Sequence, residues 1–265
     1  MTDIRTIYEE MNRIAPFDFQ DKGDNSGLLV GNSSAKVTKV LIALDITNDV
    51  IDEAADKGAE LIISHHPVFN FNYEEFSSID GNMPIYRLAN KSIGAICAHT
   101  CLDIADGGIN DIIFDMLREP LGLEDGFEVL EKVHADGRGY GKIVTCKEPL
   151  EPMKTAEILK AVFRCSVVKF CSGQRPIRRL AFCSGGSGGL VKLAYESGAD
   201  GYICGDVKHD RWIAARNYGL SVFDCGHFHT ENIMVGYLVK RLSATFSDVV
   251  FEAAQSGGDP VEYIL

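Results

Sequence analysis

Ile4, Ile7, Tyr8, Met11 and Ile14 recur at intervals of three and four residues, which predicts a helix with one apolar face and Thr2 or Asp3 as its cap. Beyond it the period is lost. The runs 40–44, 61–63 and 93–98 are continuously apolar, as expected of strands dry on both faces, since a half-exposed strand would alternate. Helical patterns at 50–57 and 84–90 separate these runs, and another at 109–117 follows the last. A β-α-β-α-β-α order of this kind predicts an α/β fold with a mostly parallel sheet covered by helices.

The second half repeats the pattern. A helical stretch at 155–163 precedes strand-like runs at 167–170, 180–183, 202–204 and 222–224. DKGAELIISHH aligns with ESGADGYICGD at a spacing of 140 residues, and the same spacing lays VLIAL on LAFCS. The first half then carries about a dozen extra residues, in a loop near 69–81, and the spacing becomes 128. His99 now falls on His227 and Asp103 on Glu231, so that HTCLD and HFHTE place His-x-x-x-acid after the last strand of each half. The chain therefore reads as two α/β repeats, 1–125 and 126–265, the first with His65, His66 and Asp103 and the second with His227 and Glu231.

A hydrophobic content of 46% is enough for a sizeable core, and a net charge of -12 argues against a nucleic-acid groove, which needs clustered Lys and Arg. No apolar run reaches the roughly 20 residues of a membrane span, and the opening MTDIRTIYEEMNR lacks the apolar stretch of a secretory signal. A cytoplasmic protein is expected. The eight cysteines form no C-x-x-C pair and several lie in apolar runs, which reads as reduced core thiols rather than a thiolate metal site.

Ligands of parallel sheets gather beyond the carboxyl ends of the strands. Four groups of polar residues fall there: His65-His66 after LIIS, His99 and Asp103 after GAICA, Asp206 after YICG, and His227 and Glu231 after VFDCG. Alone, each is compatible with a turn or a solvated carboxylate; their convergence at equivalent strand ends points to a metal centre. Adjacent histidines leaving a strand diverge, so they suit two neighbouring ions better than one. His227 and Glu231 stand one helical turn apart on one face. Imidazoles and carboxylates suit Zn, Fe, Mn, Co or Ni, with no soft ligand to select copper(I). His134 and His209 are expected at the surface, and His229 should point away from His227. SGGSGG at 184–189 is either a tight turn or a row of N–H groups for an anion; it has no Walker A spacing. Arg138 in GRGYGK is another candidate for contact with a substrate, on the same footing.

DNSGLLVG, SHHP, AHTCLDIADGGIND, GADGYICGD and DCGHFHTE, in that order, resemble the motifs of the GTP cyclohydrolase I type 2 homologues, also called Ngg-interacting-factor-like proteins. The resemblance spans nearly the whole chain. It implies two intertwined α/β repeats, a homohexameric ring, and two divalent metal ions per chain. His66 and Asp103 would hold one ion and His65 and His227 the other, with Glu231 bridging. The chain departs from the pattern at Gly23, where tryptophan is usual, at Cys101, where asparagine is common, and in GDVKHDRW, whose histidine arrives one residue early. Two functional readings follow. One is a hydrolase of a small-molecule, nucleotide-like or phosphoester substrate, with His99 as the catalytic proton donor or acceptor. The other is a non-catalytic metal carrier or partner-binding protein.

Overall fold

The computed structural model describes residues 1–68 and 83–264; the loop expected at 69–81 lies outside the described residues. The chain forms two compact units, Met1–Asp106 with Met234–Pro260, and Gly107–Ile233 with Val261–Leu265. The first contains α1 (Ile4–Ile14), β1 (Gly27–Val30), β2 (Lys39–Ala43), α2 (Asn48–Asp56), β3 (Leu61–Ser64), α3 (Pro84–Lys91), β4 (Gly94–Cys97) and α4 (Thr100–Ile104). The second contains α5 (Ile109–Arg118), β5 (Glu128–Lys132), β6 (Gly139–Leu150), α6 (Pro152–Val162), β7 (Lys169–Cys171), β8 (Ile177–Phe182), α7 (Val191–Glu196), β9 (Gly201–Cys204), α8 (His209–Tyr218), β10 (Ser221–Asp224) and α9 (His227–Glu231). The chain then returns to the first unit with α10 (Ile233–Thr245) and β11 (Val250–Ala253). Among the described residues no helix is long and apolar enough to cross a membrane.

The strand order is β1-β4-β3-β2-β11 in the first unit and β5-β6-β8-β9-β10-β7 in the second. In both, three parallel strands carry an antiparallel edge strand against the last of them: β2-β3-β4 with β1, and β8-β9-β10 with β7. This shared order is the structural form of the sequence repeat. The two sheets differ on the other side. In the first unit β11 joins β2 in parallel, whereas in the second the β5-β6 hairpin continues the sheet antiparallel, so parallel pairing dominates only the first.

β3, β4, β9 and β10 are buried at every position, as their mostly apolar sequences predict, with Ser64, Ser221 and Asp224 as buried polar residues at strand ends. On one face of the first sheet Leu41, Ile62 and Ala95 pack with Val50, Ile51 and Ala54 of α2 and Leu88 of α3. Each fully buried Leu or Ile contributes about 1.5–3 kcal/mol. α1 buries Ile4, Ile7, Met11 and Ile14, and Asp3 rather than Thr2 caps it by accepting from the Thr6 N–H. α6 begins at Pro152, three residues before the predicted start, because proline is well placed in a first helical turn where its missing N–H is not needed.

β4 and β10 start at residues 94 and 221, one residue closer than the spacing of His99 and His227. The extra residue is Gly226, which turns the chain at φ 86° between β10 and α9. His99 is therefore the N-cap of α4, whereas His227 is the first residue of α9.

Candidate metal centre

In the first unit the backbone fixes the histidine pair. The N–H groups of His65 and His66 both donate to the Leu44 carbonyl at the end of β2, at 3.2 and 3.1 Å. The Cys97 thiol donates to the His65 carbonyl and the Ser64 hydroxyl to that of His66. Each ring is then held by an oxygen at Nδ1. His65 Nδ1 lies 2.9 Å from the Ala98 carbonyl, His66 Nδ1 2.8 Å from Asp45 Oδ1, and His99 Nδ1 2.7 Å from Asp24 Oδ1. A carbonyl can only accept, so the His65 proton sits on Nδ1, and a carboxylate favours the same tautomer in the other two. With Nδ1 engaged in this way, Nε2 is the atom each ring could offer to a metal. The three residues can each offer a ring nitrogen within 4.8 Å of the others, close enough for a common ion.

Asp103, on α4, is buried, and its Oδ2 lies 3.8 Å from His65 Nε2. That is too long for a hydrogen bond and suits two donors to one cation. Within this unit Asp103 faces His65, where the resemblance pairs it with His66.

Asp24 precedes β1 and is held by more than one group. Burial would push its carboxyl up, but His99, the Thr100 hydroxyl and the Asn25 N–H hold it well below the usual carboxylate range. It therefore stays ionised and orients His99. The Cys101 thiol is pushed up to about 12 by burial, so it is a neutral core group and not a thiolate ligand.

The second unit repeats the logic around α9. His227 Nδ1 lies 2.8 Å from Asp206 Oδ2, and its Nε2 lies 3.0 Å from Oε2 of the buried Glu231. The Glu231 contact, more than Asp206, raises the His227 pKa to about 9 against the opposing effect of burial. The glycine-rich segment packs behind this pair. A Cβ on Gly185, whose φ is +61°, would stand 1.9 Å from Glu231 Oε1 and 3.4 Å from His227 Nε2. Four of its N–H groups donate within this unit: Ser184 to Asn110, Gly185 to Thr230, Ser187 to Gly185 and Gly188 to Gly205. The segment bends into a short 3-10 turn at Ser187–Leu190, and the lack of a side chain at Gly185 lets backbone approach the carboxylate.

Each unit thus assembles part of the expected ligand set, with His65, His66 and Asp103 in one and His227 and Glu231 in the other, and His99 joins the first group. His209 is exposed, as expected, whereas His134 is half-buried in the β5-β6 hairpin rather than exposed. Arg138 pairs with Asp136. Asp24 and Asp45, which the sequence reading passed over, orient His99 and His66. Asp45 follows β2, so the strand-end rule that found the other groups also marks it.

The sequence profile of the family Duf34/NIF3 (NGG1p interacting factor 3) matches residues 2–258. The chain is 30% identical over 271 residues to the GTP cyclohydrolase 1 type 2 homolog of Clostridium perfringens, covering 100% of this chain and 99% of that one. It is 27% identical to NGG1-interacting factor 3 of Saccharomyces cerevisiae, over 96% and 93% of the two chains. The fold is similar to that of a Bacillus cereus protein related to NIF3, with a TM-score of 0.87, 22% identity and 99% of each chain covered. It is also similar to reduced HcgD from Methanocaldococcus jannaschii, with a TM-score of 0.79 and 28% identity over 96% and 98% of the chains. On this match over nearly its whole length, the chain belongs to the Duf34/NIF3 family.

Proposed function

We propose that this protein is a cytoplasmic, dinuclear divalent-metal protein and a hydrolase of a nucleotide-like or phosphoester substrate. The observation that carries the reading is the set of four histidines, each fixed at Nδ1 by an oxygen, with Nε2 of His65 3.8 Å from Asp103 and Nε2 of His227 3.0 Å from Glu231. Such outer hydrogen bonds set tautomer and direction for metal-ligating histidines. The name of the C. perfringens relative, a GTP cyclohydrolase 1 type 2 homolog, agrees with a nucleotide-like substrate. In this reading His65, His66 and Asp103 from one unit and His227 and Glu231 from the other hold two ions of Zn, Fe, Mn, Co or Ni. Asp103 would serve the ion held by His65, on the strength of their 3.8 Å approach, and Glu231 would touch both ions.

Divalent ions in such a site supply Lewis acidity, polarising the bond to be cleaved and the attacking water. His99 would supply the proton transfer: Asp24 fixes its Nδ1, and His99 can offer a ring nitrogen within 4.8 Å of one on each of His65 and His66. The resemblance adds a homohexamer. Elemental analysis of natively purified protein, joined to a screen of nucleotides and phosphoesters, tests the reading. Two metals per chain and turnover that Glu231→Gln abolishes are expected; Asp103→Asn should mainly weaken one of the two ions. Fewer than two metals would refute the dinuclear site.

The name of the yeast relative, NGG1-interacting factor 3, favours a second reading, a metal carrier that binds a protein partner. Two bound metals with no turnover of any nucleotide or phosphoester, and release of metal to an acceptor, would select it.

A further inference from the structure

Asn110 stands in the first turn of α5 with none of its surface exposed, and its amide faces Ser184, just beyond β8. The Ser184 N–H donates to Asn110 Oδ1 at 3.1 Å, and Asn110 Nδ2 donates to the Ser184 hydroxyl at 3.2 Å. A backbone N–H can only donate, so the orientation of the amide is fixed by its partner. The next residue is held from the other side. Gly185 N–H donates to Thr230 Oγ1 at 3.0 Å, and its carbonyl accepts from Ser187 and Gly205 at 2.8 and 3.0 Å. Gly185, so fixed, is the wall against which the Glu231 carboxylate rests, since even a methyl group there would stand 1.9 Å from Oε1.

We infer that Asn110 is a positioning residue for Glu231, acting through Ser184 and Gly185. The inference rests on the reading of Glu231 as a metal ligand. Without the Asn110 amide, the buried Ser184 N–H and hydroxyl lose the two bonds that Asn110 supplies at this end of the loop, and that loss favours a shift of the backbone. A wall that moves leaves Glu231 free to take other rotamers, and ligand geometry tolerates only about 0.2 Å.

The test is cobalt(II) titration of the whole protein, read by affinity and by the visible absorption of the bound ion. Asn110→Ala is expected to weaken cobalt binding by about 10–100-fold, the usual effect of removing a group that orients a ligand, and to change the spectrum. In the double variant with Glu231→Gln it should add nothing to the loss that Glu231→Gln causes alone. A residue that only stabilised the fold would leave the spectrum unchanged and add its full effect. Ser184→Ala, which deletes one of the two bonds, should give a smaller loss in the same direction and decides the matter if Asn110→Ala does not fold. Wild-type affinity and spectrum in the folded Asn110 or Ser184 variant, with Glu231→Gln impaired, would overturn the positioning role alone. Wild-type cobalt binding by Glu231→Gln would instead overturn the ligand reading beneath it.

Discussion

Replacing Gly185 with alanine adds a single methyl group, and the structure says where it must go. At φ +61° an L-residue costs about 1–2 kcal/mol, because its Cβ crowds the following carbonyl. The methyl carbon would also lie 1.9 Å from Glu231 Oε1 and 2.9 Å from Cδ. Non-bonded carbon and oxygen rest at about 3.5 Å, so the carboxylate must withdraw by roughly 1.5 Å. The obstacle is the end of a side chain, so the fold absorbs it: we expect a loss of about 1–3 kcal/mol in urea denaturation, out of a total of about 5–15. Metal binding cannot absorb it, because ligand positions tolerate only about 0.2 Å. Affinity for zinc or cobalt, measured by competition with a chelating dye, should fall by at least about 10–100-fold. Gly189 in the same motif is the control. A Cβ there meets nothing within 4 Å, so Gly189→Ala should keep wild-type affinity and gain about 0.4–1 kcal/mol. Wild-type metal affinity in Gly185→Ala, with the protein folded, would refute the contact between this loop and a ligating carboxylate.

His65→Ala/His66→Ala should empty most of the site while far-ultraviolet circular dichroism stays native; full metal content by elemental analysis would contradict their assignment. Once a substrate is found, His99→Ala should lower turnover by about 10²-fold or more with both metals retained, and Asp24→Asn should lower it in the same direction by loosening the hold on the His99 ring at Nδ1. For His227, a pKa near 9 in the metal-free protein means that metal must displace a proton at pH 7.5. Calorimetry in buffers of different ionisation enthalpy should report release of about one proton, and affinity should rise with pH up to about 9. The pair with Glu231 works in the opposite direction on the metal-free fold. A raised histidine pKa stabilises it fully below the ordinary value of 6.5, and that contribution is lost as pH rises through 9.

The parallel strands were legible because burial on both faces leaves a plain mark: LIIS and GYIC carry no charge and do not alternate, and both prove fully buried. β6 left no such mark. Its sequence GYGKIVTCKEPL mixes glycine, lysine and glutamate along an antiparallel strand, and only the Asp136-Gly137 pair signals the hairpin before it. The first-row ligands could be placed by the rule of strand ends, and the spacing of HTCLD and HFHTE tied the halves together to within the one residue that Gly226 inserts. Asp24 and Asn110 were beyond reach for a different reason. They lie 75 and 74 residues from His99 and Ser184, and nothing local in the chain announces a hydrogen bond that only the fold brings about. Gly185 was seen as part of a motif, but the reason for its lack of a side chain is a carboxylate 46 residues further on.

The return of β11 to β2 gives the first unit a place in time as well as in space. Its sheet closes only when residues 250–253 pair with 39–42, so its last strand leaves the ribosome after every residue of α5 to α9. The second unit is continuous from Gly107 to Ile233 apart from five terminal residues and can settle during synthesis, while β2 waits with an open edge. An exposed parallel strand edge of Val, Leu and Ile is a template for aggregation, and closing it late, across more than 200 residues of chain, is slow. A nonsense mutation anywhere between Met234 and Val250 should therefore yield a chain whose second unit lacks only its five terminal residues while the first aggregates, even though His65, His66, Asp103, His227 and Glu231 are all still present.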